Sequence, residues 1–311
     1  MKSLENLEKL IGNTPAVEIE YKFKDLTRKV LAKCEWYNLT GSIKDRVALK
    51  IFKDAYNSGE LSPHTPIVEV SSGNMGISIA AIGSYLGHDV TIIMPSSMSI
   101  ERKKLVSMYG ARLIETKDFI EAFDVCKQLQ HKGFFCTNQF SNTSNTTAHT
   151  QSTAQELINI LTPEYKLFVA GIGTSGTLSG VGEILTKHNI KCTAIEPDNA
   201  RIITTPPPYG HHMLQGLSDE ILPDLYNKQI VSNVIPITDN DAISMTQKLC
   251  KQLSLGVGIS SGANFLGCVL SQENAITIFP DDNKKYLSTT LTTPISTPLV
   301  DSIEIISMKS I

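Results

Sequence analysis

The chain has 311 residues, 41 % hydrophobic and 19 % charged, which is enough to bury a sizeable core and long enough for two domains. Its net charge of -3, with no dense Lys/Arg block and no basic stripe interleaved with aromatics, argues against nucleic acid and anionic membranes as partners while leaving room for a small anionic ligand. Six cysteines without a CxxC pair and seven histidines without HExxH argue against structural zinc, a disulfide framework and any other metal site.

Residues 1–8 carry acids where a secretion signal needs an apolar stretch, and no later apolar run reaches membrane-spanning length, so a cytoplasmic protein is expected. Next comes Asn38-Leu39-Thr40-Gly41-Ser42-Ile43-Lys44-Asp45-Arg46, a glycine turn with two hydroxyl capping residues and Lys44 in the first turn of a helix. The positive end of a helix disfavours an ammonium, so the place suits a lysine that must lose its proton to react. Taken alone, the place is better read as that of one of 28 basic residues in an ordinary helix, and the rest of the chain decides.

Strand 67–70 precedes a helix at 75–86, and strand 90–94 precedes a helix at 99–109. The polar stretch 138–147 reads as a crossing segment and domain boundary. Beyond it, strand 167–170 leads to a helix at 176–187, strand 192–195 follows, strand 234–237 leads to a helix at 239–253, and strand 275–279 closes the series. Short apolar strands alternating with helices predict an α/β protein with open parallel sheets buried on both faces. Residues 204–212, rich in proline, read as a loop, and no structure is forced on the Ser/Thr-rich stretch after Tyr286.

Open parallel sheets bind ligands outside the carboxyl ends of their strands, and three turns there have the composition for it. In Gly171-Ile172-Gly173-Thr174-Ser175-Gly176-Thr177 the glycines allow close backbone approach and three hydroxyls add donors, so a phosphate fits. No lysine follows at P-loop spacing. The turn also matches GxGxxG with Glu196 twenty residues beyond Gly176, which keeps an NAD-binding Rossmann reading open, although the hydroxyls suit a monophosphate better. A glycine turn without a ligand is a third reading. Ser71-Ser72-Gly73-Asn74-Met75-Gly76 offers a carboxylate pocket or simply a helix N-cap, and the turn around Ser260 is equally open.

Taken in order, Ile11-Gly12-Asn13-Thr14-Pro15, Gly41-Ser42-Ile43-Lys44-Asp45-Arg46, Ser72-Gly73-Asn74, Glu101-Arg102-Lys103-Lys104, the turn from Gly171, Glu196-Pro197, Gln215-Gly216, the turn from Gly258, Pro280-Asp281 and Tyr286-Leu287-Ser288-Thr289 resemble the cysteine synthase (O-acetylserine sulfhydrylase) and cystathionine β-synthase family of fold-type II pyridoxal-phosphate enzymes. The likeness runs over most of the chain. It implies two open parallel-sheet α/β domains with the active site between them. Residues 1–46 and 147–290 would form the larger, cofactor-binding domain, 47–146 a smaller mobile substrate domain, and 291–311 a tail. It also implies a homodimer.

The resemblance further implies pyridoxal 5'-phosphate joined to Lys44 as an internal aldimine, with Gly173, Thr174, Ser175, Gly176 and Thr177 holding the phosphate. Asn74 would bond the ring hydroxyl, Ser260 would face the pyridine nitrogen, and Ser71, Ser72, Asn74, Met75 and Gln139 would surround the carboxylate of a small amino-acid substrate. The implied reaction is β-replacement through an α-aminoacrylate, by default O-acetylserine plus sulfide giving L-cysteine. A neutral serine does not hold the ring nitrogen protonated, which favours elimination at Cβ over a long-lived carbanion.

The chain departs from the pattern at three places. Met75 and Ser71 stand where relatives usually have threonine, and Gln215-Gly216 is followed by Leu217-Ser218-Asp219-Glu220 rather than by small or apolar residues. A carboxylate near Cβ would repel hydrosulfide yet could orient water, so a catalytic Asp219 in the conversion of L-cysteine and water to L-serine and hydrogen sulfide is the alternative; acids that merely face solvent are the other reading. The final isoleucine is similar to the serine acetyltransferase tails that occupy active sites in this family, which makes that enzyme a partner to test. A non-catalytic binding protein is the remaining alternative.

Overall fold

The computed structural model describes residues 3–206, 210–218 and 221–311. Among them the strands are β1 (Ala16–Phe23), β2 (Leu26–Cys34), β3 (Ile67–Val70), β4 (Val90–Pro95), β5 (Arg112–Thr116), β6 (Phe135–Cys136), β7 (Leu167–Gly171), β8 (Lys191–Pro197), β9 (Val231–Ile237), β10 (Ala275–Phe279) and β11 (Glu304–Ser310). The helices are α1 (Leu4–Glu8), α2 (Lys44–Ser58), α3 (Asn74–Leu86), α4 (Ile100–Met108), α5 (Phe119–His131), α6 (Ser144–Ala148), α7 (Ala154–Ile158), α8 (Gly176–Lys187), α9 (Asp239–Leu253), α10 (Ile259–Ser271) and α11 (Pro298–Asp301).

Two sheets result, one in the order β11-β1-β2-β10-β7-β8-β9 and one in the order β5-β4-β3-β6. The smaller sheet is wholly parallel, and so is the run from β2 through β10, β7 and β8 to β9. Every residue of β3, β4 and β10 is buried, as expected for strands covered by helices on both faces. Each sheet accordingly carries apolar clusters of its own. Local chemistry sets the helix ends: Asp118 caps α5 by accepting from the Glu121 N–H at 2.8 Å, and left-handed Gly59 and Gly87 stop α2 and α3.

Three features depart from the parallel βαβ expectation. β1 and β2 form an antiparallel hairpin turned by Lys24 and Asp25, both left-handed. β11 adds antiparallel to β1, and the Ile311 N–H reaches the Ala16 carbonyl at 2.9 Å, so the end of the chain is a sheet edge and not a loose tail. The polar stretch 138–147, expected as a crossing segment or linker, turns at 138–142 and enters α6, whose path continues through a π-helical turn, His149–Thr153, into α7.

Candidate active site

The turns after β3 and β7 and the first turn of α10 meet Lys44 in a single cleft between the two sheets. Lys44 opens α2, its N–H 3.3 Å from Ser42 Oγ. The turn in front of it is held by Asp45, which accepts from the Thr40 N–H and hydroxyl at 2.6 Å each, and by the Ile43 N–H bonded to the Pro280 carbonyl at 2.9 Å. Burial, with Lys44 and Arg46 nearby, pushes the His149 imidazole well below its usual range. This neutral ring sits 3.0 Å from Thr153 Oγ1 and 3.2 Å from Thr177 Oγ1, behind the glycine-rich loop.

That loop is shaped by close approaches. Ser175 adopts φ 63° immediately before α8. A Cβ at Gly173 would overlap the Gly216 carbonyl oxygen, and one at Gly176 would overlap the Asn145 side chain. Asn145 donates to Thr174 Oγ1 at 2.9 Å and to the Gln139 carbonyl at 2.8 Å, tying this loop to the segment that carries Gln139. The cleft therefore has, at one end, a helix N-terminus, backbone N–H groups and hydroxyls arranged for an anion.

Asn74 donates from Nδ2 to Asp281 Oδ2 at 2.8 Å, and the Tyr286 hydroxyl donates to the same oxygen at 2.8 Å. Burial raises the Asp281 carboxyl while Lys285 and Arg102 oppose it. Asn74 Oδ1 is buried without a partner among the described residues. Arg102 also lines the cleft, its guanidinium 4.6 Å from the Tyr286 ring centre and hydrogen-bonded to Gln215.

Lys44, Ser71, Ser72, Asn74, Met75, Gln139, Ser260 and residues 173–177 all border the cleft. Ser71 Oγ accepts from the Gly73 and Gly76 N–H groups at 3.0 and 2.9 Å, so its lone pairs shape the turn. Gln139 Nε2 donates to the Val70 carbonyl at 2.9 Å and to Glu69 at 3.2 Å. Met75 is 1 % exposed and belongs as much to the core of the smaller sheet as to the cleft. Asp219 and Glu220 lie outside the described residues. Glu196, the acid of the dinucleotide reading, is buried and accepts from the Ile203 N–H at 2.9 Å and from the Thr204 hydroxyl, which leaves it spent within its own loop.

Arg102 and Gln215 lie in segments that carry the family resemblance, but nothing in the sequence assigned either side chain a role. Asn145 and His149 carried no sequence signal. Among the described residues no group of three or more His, Cys, Asp or Glu could hold a metal, and no helix is long and apolar enough to cross a membrane.

A glycine- and hydroxyl-rich turn and a lysine at a helix start lining one cleft between two α/β sheets offer the chemistry that a phosphorylated carbonyl cofactor needs. The chain matches the family model described as pyridoxal-phosphate dependent enzyme over residues 7–282, and it belongs to that family. It is 39 % identical to cysteine synthase B of Campylobacter jejuni, covering 94 % of this chain and 99 % of that one. Among solved structures it is similar to a hydrogen sulfide-producing enzyme from Fusobacterium nucleatum, with TM-score 0.93 and 40 % identity over 98 % of this chain and 97 % of that one. It is likewise similar to O-acetylserine sulfhydrylase isoform 3 of Entamoeba histolytica, with TM-score 0.86 and 34 % identity over 96 % and 94 %. The family resemblance read from the motifs holds, and the cofactor is pyridoxal phosphate. The donor set fits it: the anion cradle suits the phosphate, Lys44 the aldehyde, and the unpartnered Asn74 Oδ1 and the Ser260 hydroxyl supply neutral polar groups for the ring.

Proposed function

We propose that this chain catalyses β-replacement on a small amino acid, with O-acetylserine and sulfide giving L-cysteine as the default pair. The convergence of Lys44, residues 173–177 and Ser260 in one cleft carries the reading. Bound pyridoxal phosphate supplies an electron sink that acidifies the α-proton of an attached amino acid. Thr174, Ser175, Thr177 and the N–H groups around Gly173 and Gly176 would hold its phosphate, Asn74 its ring hydroxyl, and Ser260 its ring nitrogen. Ser72, Asn74, Gln139 and the backbone at Met75 gather the substrate carboxylate, while Ser71 keeps that turn in shape. Lys44 takes the α-proton and returns it once the new group has added at Cβ. Arg102 places a cation in the cleft, which favours an anionic nucleophile such as hydrosulfide and an anionic leaving group such as acetate.

The second reading, L-cysteine and water giving L-serine and hydrogen sulfide, is favoured by the 40 % identity to the Fusobacterium enzyme and would use Asp219 to orient water. The same account takes the protein as a cytoplasmic homodimer in which residues 47–146 move over a unit formed by 1–46 and 147–290, with serine acetyltransferase as a partner to test.

The deciding experiment supplies the cofactor-loaded protein with O-acetylserine plus sulfide, and separately with L-cysteine alone, and follows cysteine, serine and sulfide. Cysteine formed from O-acetylserine upholds the first reading. Serine and sulfide from cysteine alone, without turnover of O-acetylserine and lost in Asp219→Ala, transfer it to the second. Turnover of neither overturns the proposal.

A further inference from the structure

Outside the cleft, two thiols stand in contact. Cys126 Sγ on α5 lies 3.3 Å from Cys136 Sγ at the end of β6, and both are free. The remaining buried cysteines, Cys34, Cys192 and Cys268, sit in the apolar clusters of the larger sheet. The pair borders a cavity of about 150 Å³ together with Glu69 and Asn138, and Cys136 is the more exposed partner. A reagent therefore has a route to Cys136 first.

The pair is also joined to the expected substrate site. Cys136 directly precedes Thr137, whose N–H bonds the Val68 carbonyl at 3.3 Å and whose hydroxyl bonds the Glu69 carboxylate. Glu69 in turn receives Gln139 Nε2 at 3.2 Å. Forming a disulfide draws the two sulfurs together by on the order of 1 Å, and the nearest backbone to yield is the segment 136–139.

We infer that Cys126 and Cys136 form a reversible disulfide with low-molecular-weight disulfides such as cystine, and that its formation weakens amino-acid binding through Gln139. The Cys136 thiolate attacks one sulfur of cystine, releasing one cysteine and leaving Cys136 bonded to the other half. Cys126 then attacks the Cys136 sulfur, closing the protein disulfide and releasing the second cysteine. Two protein thiols are oxidised, one cystine is reduced to two cysteines, and each leaving thiolate takes up the proton that a protein thiol has lost. The Cys126 contact and burial hold the Cys136 thiol well above its usual range, so the exchange is slow, minutes to hours without a catalyst.

The consequence for binding rests on the function proposed above; the chemistry of the pair does not. The test treats the cofactor-loaded Cys250→Ser protein, which lacks the exposed thiol, with cystine and maps its peptides without reduction. The expected product is a Cys126–Cys136 linked peptide lighter by two hydrogens, together with a KM for the amino acid raised about three- to tenfold at nearly constant kcat. Both effects should reverse with a reductant, and the KM effect should be missing in Cys126→Ser or, where that variant folds poorly, in Cys126→Ala. A half-cystine adduct that stays on Cys136, or no modification of either thiol, overturns the assignment. A linked peptide with unchanged KM overturns the coupling to Gln139. A linked peptide in a protein inert toward every amino acid supports the pair and counts against the proposed function, so the two failures are told apart.

Discussion

Glu69, buried and bonded by Gln139, shows what burial does to a single carboxyl group. Burial pushes its carboxyl up to about 7 against the opposing hydrogen bonds from Thr137 and Gln139, whereas the free side chain titrates at 4.5. Between those values the folded chain keeps a proton that the unfolded chain has released. The stability contributed by this group is therefore complete below the lower value and is lost as pH rises through the upper one. Replacing Glu69 by Gln removes that loss. Denaturant titrations should show the variant gaining on the parent, between about pH 5 and about pH 8, by on the order of 3 kcal/mol, and an unchanged difference would mean that Glu69 does not hold its proton in the fold. Lys44, Ser260 and the residues around Asn74 were legible as cleft residues because they sit at helix starts and strand-to-helix turns, where open parallel sheets gather ligands, while the roles expected of them come from the family resemblance. Asn145 was not, since an asparagine in a polar stretch looks like a turn residue until the fold brings it against Thr174.

At the scale of elements, the glycine-rich turn between β7 and α8 is the most tightly specified piece of the site. Gly173 has no room for a methyl group because the rigid Gly216 backbone stands against it, so Gly173→Ala must push the two loops apart. We expect the variant to fold and to lose at least about tenfold in affinity for pyridoxal phosphate, an effect near 1.4 kcal/mol, measured by equilibrium dialysis. Undiminished affinity would remove the turn from the phosphate site. The buried parallel strands β3, β4, β7, β8 and β10 were readable as short apolar runs because burial on both faces erases polar alternation, whereas the half-exposed β5 and the two-residue β6 were missed. The β1–β2 hairpin and the edge strand β11 were not readable, because all three strands carry charged residues among their apolar ones and the hairpin turn, Lys24-Asp25, lacks glycine. For the same reason the C-terminal stretch looked like a tail, although its backbone pairs with β1.

For the whole molecule, the cleft exists because two sheets, each with cores of its own, present their strand ends to a common space, and α4 reaches from the smaller one to hold Arg102 against Tyr286 and Gln215. The paired assay with O-acetylserine plus sulfide and with L-cysteine alone, repeated in Asp219→Ala, separates sulfide from water as the nucleophile. The proposed placement of the cofactor rests on residues 173–177 and Lys44, the first residue of α2, lining the same cleft. The most direct check is to load the protein with pyridoxal phosphate, reduce it with borohydride and map the modified peptide. The account predicts a pyridoxyl group on Lys44, absent from Lys44→Ala; a group fixed to another lysine, or none fixed at all, would contradict it.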